Sequence, residues 1–187
     1  MTEPTAPPPR QSRELPLRIA TRTDVGMVRT ANEDSFLVID PDDPRVAASR
    51  GRLVVIADGM GGAVGGAHAS RMVVETLRDL VFSEHDLAPG QALGESVLQA
   101  NRNINAESMS NYDLRGMGST CTAMLILHDQ AFIAHVGDSR AYLVRQGRIL
   151  QVTDDHTKIR LLVESGMITP EEALDHPERS VLIRSIG

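Results

Sequence analysis

Aromatic side chains make up only 3% of this 187-residue chain, and tryptophan is missing altogether. A core must therefore be assembled from Val, Ile, Leu, Met and Ala. A single cysteine, Cys121, excludes an internal disulfide and fits a reducing compartment. Long apolar runs are lacking too. The longest, LVVIA at 53–57 and MLIL at 124–127, fall far short of the roughly 20 residues that span a bilayer. The first residues, MTEPTAPPPRQSRELP, hold no apolar stretch of the signal-peptide kind, so the expected location is the cytoplasm. Basic charge is also in deficit: 19 Lys and Arg against 25 Asp and Glu give a net charge of -6. With no basic stripe, nucleic acid is not an expected partner, and an acidic balance argues against anionic membranes. Phosphate binding stays open if metal ions supply the positive charge.

What is present is ordinary for a soluble globular protein, with 41% hydrophobic and 24% charged residues. The length suits one domain, which can bury roughly 70% of its unfolded surface. Residues 1–16 contain five of the ten prolines and read as a disordered tail, leaving 17–187 as the domain. LRIATRTDVG (17–26) alternates like a strand, as does DSFLVID (34–40), which ends at the turn cluster PDDP. RLVVIA (52–57) is a continuous apolar run of the buried-strand type, stopping at a glycine-rich loop, DGMGGAVGG. Ala69, Met72, Val73, Thr76, Leu77, Leu80 and Val81 then follow helical spacing. A second helix is expected from Pro89 to about Met109. STCTAMLIL, QAFIAHV, AYLVR and RILQV read as short strands joined at His128-Asp129, GDS and Gln146-Gly147. Residues 158–163 and 168–174 read as short helices, the latter capped by Thr169 with Pro170 and Glu172 behind it. Strands at both ends with helices between them predict an α+β protein with antiparallel sheets.

The chemistry-bearing residues are acidic and sit at strand ends. Glu33 and Asp34 precede a strand, Asp58 follows one, and Asp138 lies in a tight turn between two. Carboxylates brought together there would repel by about 4 kcal/mol per pair at about 4 Å and an effective dielectric of about 20. Hard divalent cations relieve such crowding, and Mg2+ and Mn2+ prefer oxygen ligands. The histidines show no paired ligand spacing and one cysteine makes no thiolate site, which disfavours zinc. Gly59 could add a backbone carbonyl, since glycine permits close approach. Each piece alone has a plainer reading: Asp58-Gly59 as a turn, Asn32-Glu33-Asp34 as a solvated bend, Asp138 as a turn residue. The glycine-rich loop matches no nucleotide motif. A dinucleotide fingerprint would need glycine where Val64 stands, and a P-loop would need Lys after Gly66 where Ala67 stands. A cysteine phosphatase would need arginine in place of Leu127.

In chain order, DVGMVRTANEDSFLV, VVIADGMGG, MGSTCTAMLIL, AFIAHVGDSRAYLVRQGRILQVTDDHT and ITPEEALDHPERSVLIRSIG resemble the protein phosphatase 2C family, and its compact bacterial members in particular. The resemblance runs from about Leu17 to Gly187. It implies an antiparallel β-sandwich flanked by helices in four layers, with two Mn2+ or Mg2+ ions at one edge. It implies hydrolysis of phosphoserine and phosphothreonine in proteins by a metal-activated water, with no protein nucleophile. By its motifs Asp58 would bridge the two ions, Glu33 and the Gly59 carbonyl would hold one, and Asp34 would hydrogen-bond water at the metals. Asp138 would help hold a third, weaker ion. Arg29, whose planar fork matches two phosphate oxygens, would bind the substrate phosphate. Residues 154–178 would form a mobile flap. Implied partners are phosphoprotein substrates and serine/threonine kinases with their targets, met by a monomer.

Two departures from the family pattern stand out. Animal members often carry a histidine, thought to be a general acid, where this chain has Met60, a change shared by bacterial relatives. The sequence also ends at RSIG, whereas family members continue through a Ser-Asp-Gly and an Asp-Asn segment that supply further metal ligands and the last strands of the sandwich. An alternative reading therefore stays open, in which the chain is an inactive truncated phosphatase fragment acting as a phosphate- or metal-binding module.

Overall fold

The computed structural model describes residues 17–83 and 86–187. The expected proline-rich tail, 1–16, lies outside them. The centre of the fold is β2 (Arg52–Met60), the apolar run that the sequence marks as a buried strand. It pairs antiparallel with β1 (Asp34–Ile39) on one side and with β4 (Cys121–Leu127) on the other, and β4 pairs with β5 (Gln130–Val136). A two-residue strand, β3 (Gly118–Ser119), joins the far end of β2 at Gly59 and Met60. A separate ribbon, β6 (Tyr142–Arg145) and β7 (Arg148–Gln151), turns at Gln146-Gly147, both with positive φ. That geometry matches the right-handed twist of a two-residue hairpin.

Two long helices, α2 (Gly62–Val81) and α3 (Pro89–Ser110), cover one face of the main sheet. Period-2 alternation sends Leu53, Val55 and Ala57 of β2 and Cys121, Ala123 and Leu125 of β4 to that face. There they meet Val73, Leu77, Leu93 and Ile104, and the core is aliphatic, as the shortage of aromatics requires. Phe82 and Phe132 only flank it. On the opposite face Phe36 and Ile56 lie directly across from each other and remain 44% and 48% exposed. The antiparallel α+β architecture expected from the sequence is thus the one the chain forms. No helix of the described residues is long and apolar enough to cross a membrane.

Four details differ from the sequence reading. Residues 17–26 form no strand. They run over the outer sheet face beside Phe36, Val54 and Ile56, enclosing about 390 Å³, and Asp24 accepts the Gly26 N–H in a local turn instead of leaving the backbone to a ladder. The glycine-rich loop is far shorter than its composition suggests. β2 continues through Met60 and α2 begins at Gly62, so Gly65 and Gly66 are helical. Close packing of α2 on β2 overrides their weak helix propensity. A short helix, α1 (Pro44–Arg50), follows the turn cluster, capped by the Asp43 side chain with Pro44 in the first turn. The strand expected from Ser119 is interrupted at Thr120, whose backbone and hydroxyl turn to Asp58.

Beyond the ribbon, α4 (Lys158–Glu164) and α5 (Pro170–Leu174) form a two-helix excursion over the range expected for a flap. Thr169 and Glu172 make the reciprocal capping box read from the sequence. The excursion is tied at its foot by the Thr157–Leu182 bridge and by the Lys158 N–H donating to the Val181 carbonyl.

The burial pattern gives a direct contrast. Leu125→Ala, at a fully buried position, should lower the unfolding free energy by about 2–5 kcal/mol. Ile149→Ala, 69% exposed in the ribbon, should stay within about 0.5 kcal/mol. Urea denaturation followed by circular dichroism reads both.

Candidate active site

Antiparallel register sets the site. Asp34 opens β1 and Asp58 lies near the end of β2, and the two are direct cross-strand partners. Like charges in that relation destabilise a sheet. Burial pushes the Asp58 carboxyl above its ordinary pKa, and the charges of Asp34 and then Asp138 add to the shift, with Arg29 opposing it. Asp34 is held at the strand start because the Asn32 side chain accepts its N–H at 3.0 Å, while Asn32 donates to the Thr23 hydroxyl at 2.7 Å.

Glu33 reaches the site by a different route. Its carbonyl accepts the Gly59 N–H at 3.2 Å and the Ser70 hydroxyl at 2.6 Å, which locks it between β2 and α2. Its side chain is only 12% exposed and lies against Gly66. A Cβ at Gly66 would sit 2.2 Å from Glu33 Oε2, and one at Gly59 would sit 2.0 Å from the Gly66 carbonyl oxygen. Close approach of backbone therefore requires glycine at 59, and glycine at 66 leaves room for the Glu33 carboxylate; neither is explained by turn geometry.

Asp138 arrives from the β5–β6 loop. Gly137, at φ 109°, turns the chain there, donating its N–H to His156 Nδ1 at 3.2 Å and accepting the His156 N–H at 2.8 Å. Glu33, Asp58, Gly59 and Asp138 line one cleft of about 830 Å³, together with Arg29 on its rim. Asp34 borders a smaller neighbouring cleft of about 200 Å³ that shares Arg29, Glu33 and Asp58. Arg29 is largely exposed, 3.8 Å from Glu33 Oε1, a contact too loose to immobilise its guanidinium. All six residues singled out from the sequence thus converge on one region. The reading of the sequence missed Thr120, Ser180, Leu182 and Ser185, which also line the main cleft. Only the Ser-Thr pair after Gly118 offered a signal, and it was masked by the strand-like run around it.

The donor set is all oxygen, and its charge crowding is what a hard divalent cation relieves. Among the described residues no three acidic, histidine or cysteine side chains form a ready-made cage, so the cleft offers a partial set of ligands. Cys121 takes no part in the chemistry: burial pushes its thiol up to about 12.

Comparison with known proteins gives this geometry a family. A model described as Protein phosphatase 2C matches residues 24–161, well over half of the chain. The chain belongs to the protein phosphatase 2C family. Among curated relatives, the serine/threonine protein phosphatase PstP of Mycobacterium tuberculosis is 40% identical over 172 residues, covering 92% of this chain and 31% of the relative. The serine/threonine phosphatase stp of Listeria monocytogenes is 36% identical over 170 residues, covering 89% of this chain and 65% of the relative. A solved structure of the PstP catalytic domain, in complex with two manganese ions, superposes with a TM-score of 0.72 at 38% identity, covering 88% of this chain and 64% of that one. The chain thus spans about a third of the length of the first relative and just under two thirds of the second.

The glycine contacts supply a test of the site within this phosphatase 2C chain. Gly66→Ala meets the end of the Glu33 side chain first, so Glu33 should swing away and Mn2+ affinity should fall at least about tenfold, with a modest change in melting temperature. Gly59→Ala meets backbone and should destabilise the fold by about 3 kcal/mol or more. Calorimetric Mn2+ titration and thermal unfolding of each variant separate the two effects.

Proposed function

We propose that this protein hydrolyses phosphoserine and phosphothreonine in proteins, using two Mn2+ or Mg2+ ions held by Asp58, Glu33 and the Gly59 carbonyl, with a third, weaker ion beside Asp138. The observation that carries the reading is the placement of Asp34 opposite Asp58, with Asp138 close enough to raise the same carboxyl and Arg29 on the rim. When bound, the divalent ions supply the charge that offsets these carboxylates, draws in the phosphate oxygens and makes water a nucleophile at neutral pH. The chain's own residues do the rest. Arg29, free to reorient at the rim, donates two parallel hydrogen bonds to the phosphate oxygens. Asp34, held through its backbone by Asn32, accepts a hydrogen bond from the attacking water and orients it. Met60 lines the cleft but carries no proton to give, so the departing seryl or threonyl oxygen takes its proton from solvent.

The names of the relatives support this chemistry, and the manganese-bound PstP domain supports the choice of ion. They make the alternative, an inactive phosphate- or metal-binding fragment, the less favoured reading. We infer that the substrates are phosphoproteins made by serine/threonine kinases, and that the chain meets them as a monomer.

Kinetics with a phosphothreonine peptide test the reading. The purified chain should turn over the peptide with Mn2+ and lose activity on chelation. Asp58→Asn should lower kcat by at least about a hundredfold, and Arg29→Ala should act chiefly through KM, by about tenfold. Full activity in Asp58→Asn would contradict the assignment. Phosphate and Mn2+ binding without any turnover would favour the binding-module alternative.

A further inference from the structure

Thr120 interrupts a strand, is 2% exposed, and touches both acidic segments of the cleft, the end of β2 and the β5–β6 loop. Its N–H donates to the Asp58 carbonyl at 2.8 Å and its hydroxyl oxygen accepts the Asp58 N–H at 2.9 Å. The same hydroxyl shares a 2.8 Å hydrogen bond with the Ser139 hydroxyl, next to Asp138. Its methyl packs on Gly137, where a Cβ would fall 2.5 Å from Thr120 Cγ2. Two neighbours reinforce the arrangement. Ser119 donates to the Asp58 carbonyl at 3.1 Å, and the Thr122 hydroxyl donates to the Ser139 carbonyl at 2.8 Å. One buried hydroxyl therefore lies between the backbone that carries Asp58 and the loop that carries Asp138, and among the described residues no other side chain hydrogen-bonds to both.

We propose that Thr120 is a positioning residue: its hydroxyl fixes the end of β2 that carries Asp58 and the loop that carries Asp138 relative to each other and so sets the affinity of the cleft for a divalent cation. The proposal rests on the reading of the cleft as a cation-dependent phosphatase site. An ordinary buried threonine would serve the core through its methyl group. A latch works through its oxygen, because a 2.8–2.9 Å bridge constrains both distance and direction. The two roles separate by substitution. Thr120→Val keeps the shape and removes the oxygen. Thr120→Ser keeps the oxygen and removes the methyl.

The experiment is Mn2+ titration of the full chain by calorimetry, with the melting temperature of each metal-free variant measured alongside. Thr120→Val should weaken Mn2+ binding at least about tenfold, and Thr120→Ser should stay within about threefold of wild type despite its lost packing. A purely structural threonine gives the reverse: both variants melt lower and bind Mn2+ as wild type does. Should Thr120→Val fail to fold, Ser139→Ala breaks the link to the Asp138 loop alone. It should weaken binding at least about threefold with little change in melting temperature, and unchanged affinity there overturns the latch. Wild type that binds Mn2+ alongside variants of equal affinity sinks only the latch. Wild type that binds none sinks the phosphatase reading with it.

Discussion

Charge repulsion between carboxylates is the constraint around which the site is built. The β1–β2 register sets Asp34 against Asp58, and the β5–β6 loop brings Asp138 near enough to push the Asp58 carboxyl up further. A fold selected only for stability would not place acids opposite each other on paired strands. The arrangement makes sense as a cation site, where the same crowding becomes affinity. Arg29 moderates it from the rim, but its exposure leaves its charge screened and its guanidinium available for an anionic ligand.

Holding mutually repelling groups in place requires stiff supports, and these are glycines and hydroxyls. Gly59 and Gly66 let β2 and α2 approach until the Glu33 side chain fits between them. Ser70 and Thr120 hydrogen-bond to the backbones of Glu33 and Asp58, not to their carboxylates. That division fixes the backbones of the acids without these hydroxyls occupying their carboxylate oxygens. The buried aliphatic core under the sheet supplies the platform, and the site occupies its rim.

Much of this was legible in the sequence. Apolar periodicity located β2, β4, α2 and α3, and the acids at strand ends already suggested an oxygen-ligand metal site. The order of short motifs then placed Arg29, Glu33, Asp34, Asp58, Gly59 and Asp138 in one region, and the structure brings those six together. What escaped is non-local. Alternation in residues 17–26 looked like a strand, but pairing needs a partner edge, and the segment lies across the outer face instead. The glycines at 65 and 66 looked like a loop because propensity says nothing of a helix pressed onto a strand. Thr120 looked like one more β-branched strand residue, since its role depends on Asp58 and Ser139, 62 and 19 positions away.

Thermal unfolding of wild type and Asp58→Asn at neutral pH, with and without Mn2+, tests the central claim most directly. Because the folded state raises the Asp58 carboxyl, its charge opposes folding above that raised pKa, and the opposition fades as pH falls through it. The metal-free Asp58→Asn protein should therefore melt at or above wild type. Mn2+ at about a hundredfold excess over its dissociation constant should stabilise wild type by about 2.7 kcal/mol and the variant far less. A variant that melts below wild type without metal, yet gains as much from Mn2+, would contradict the account.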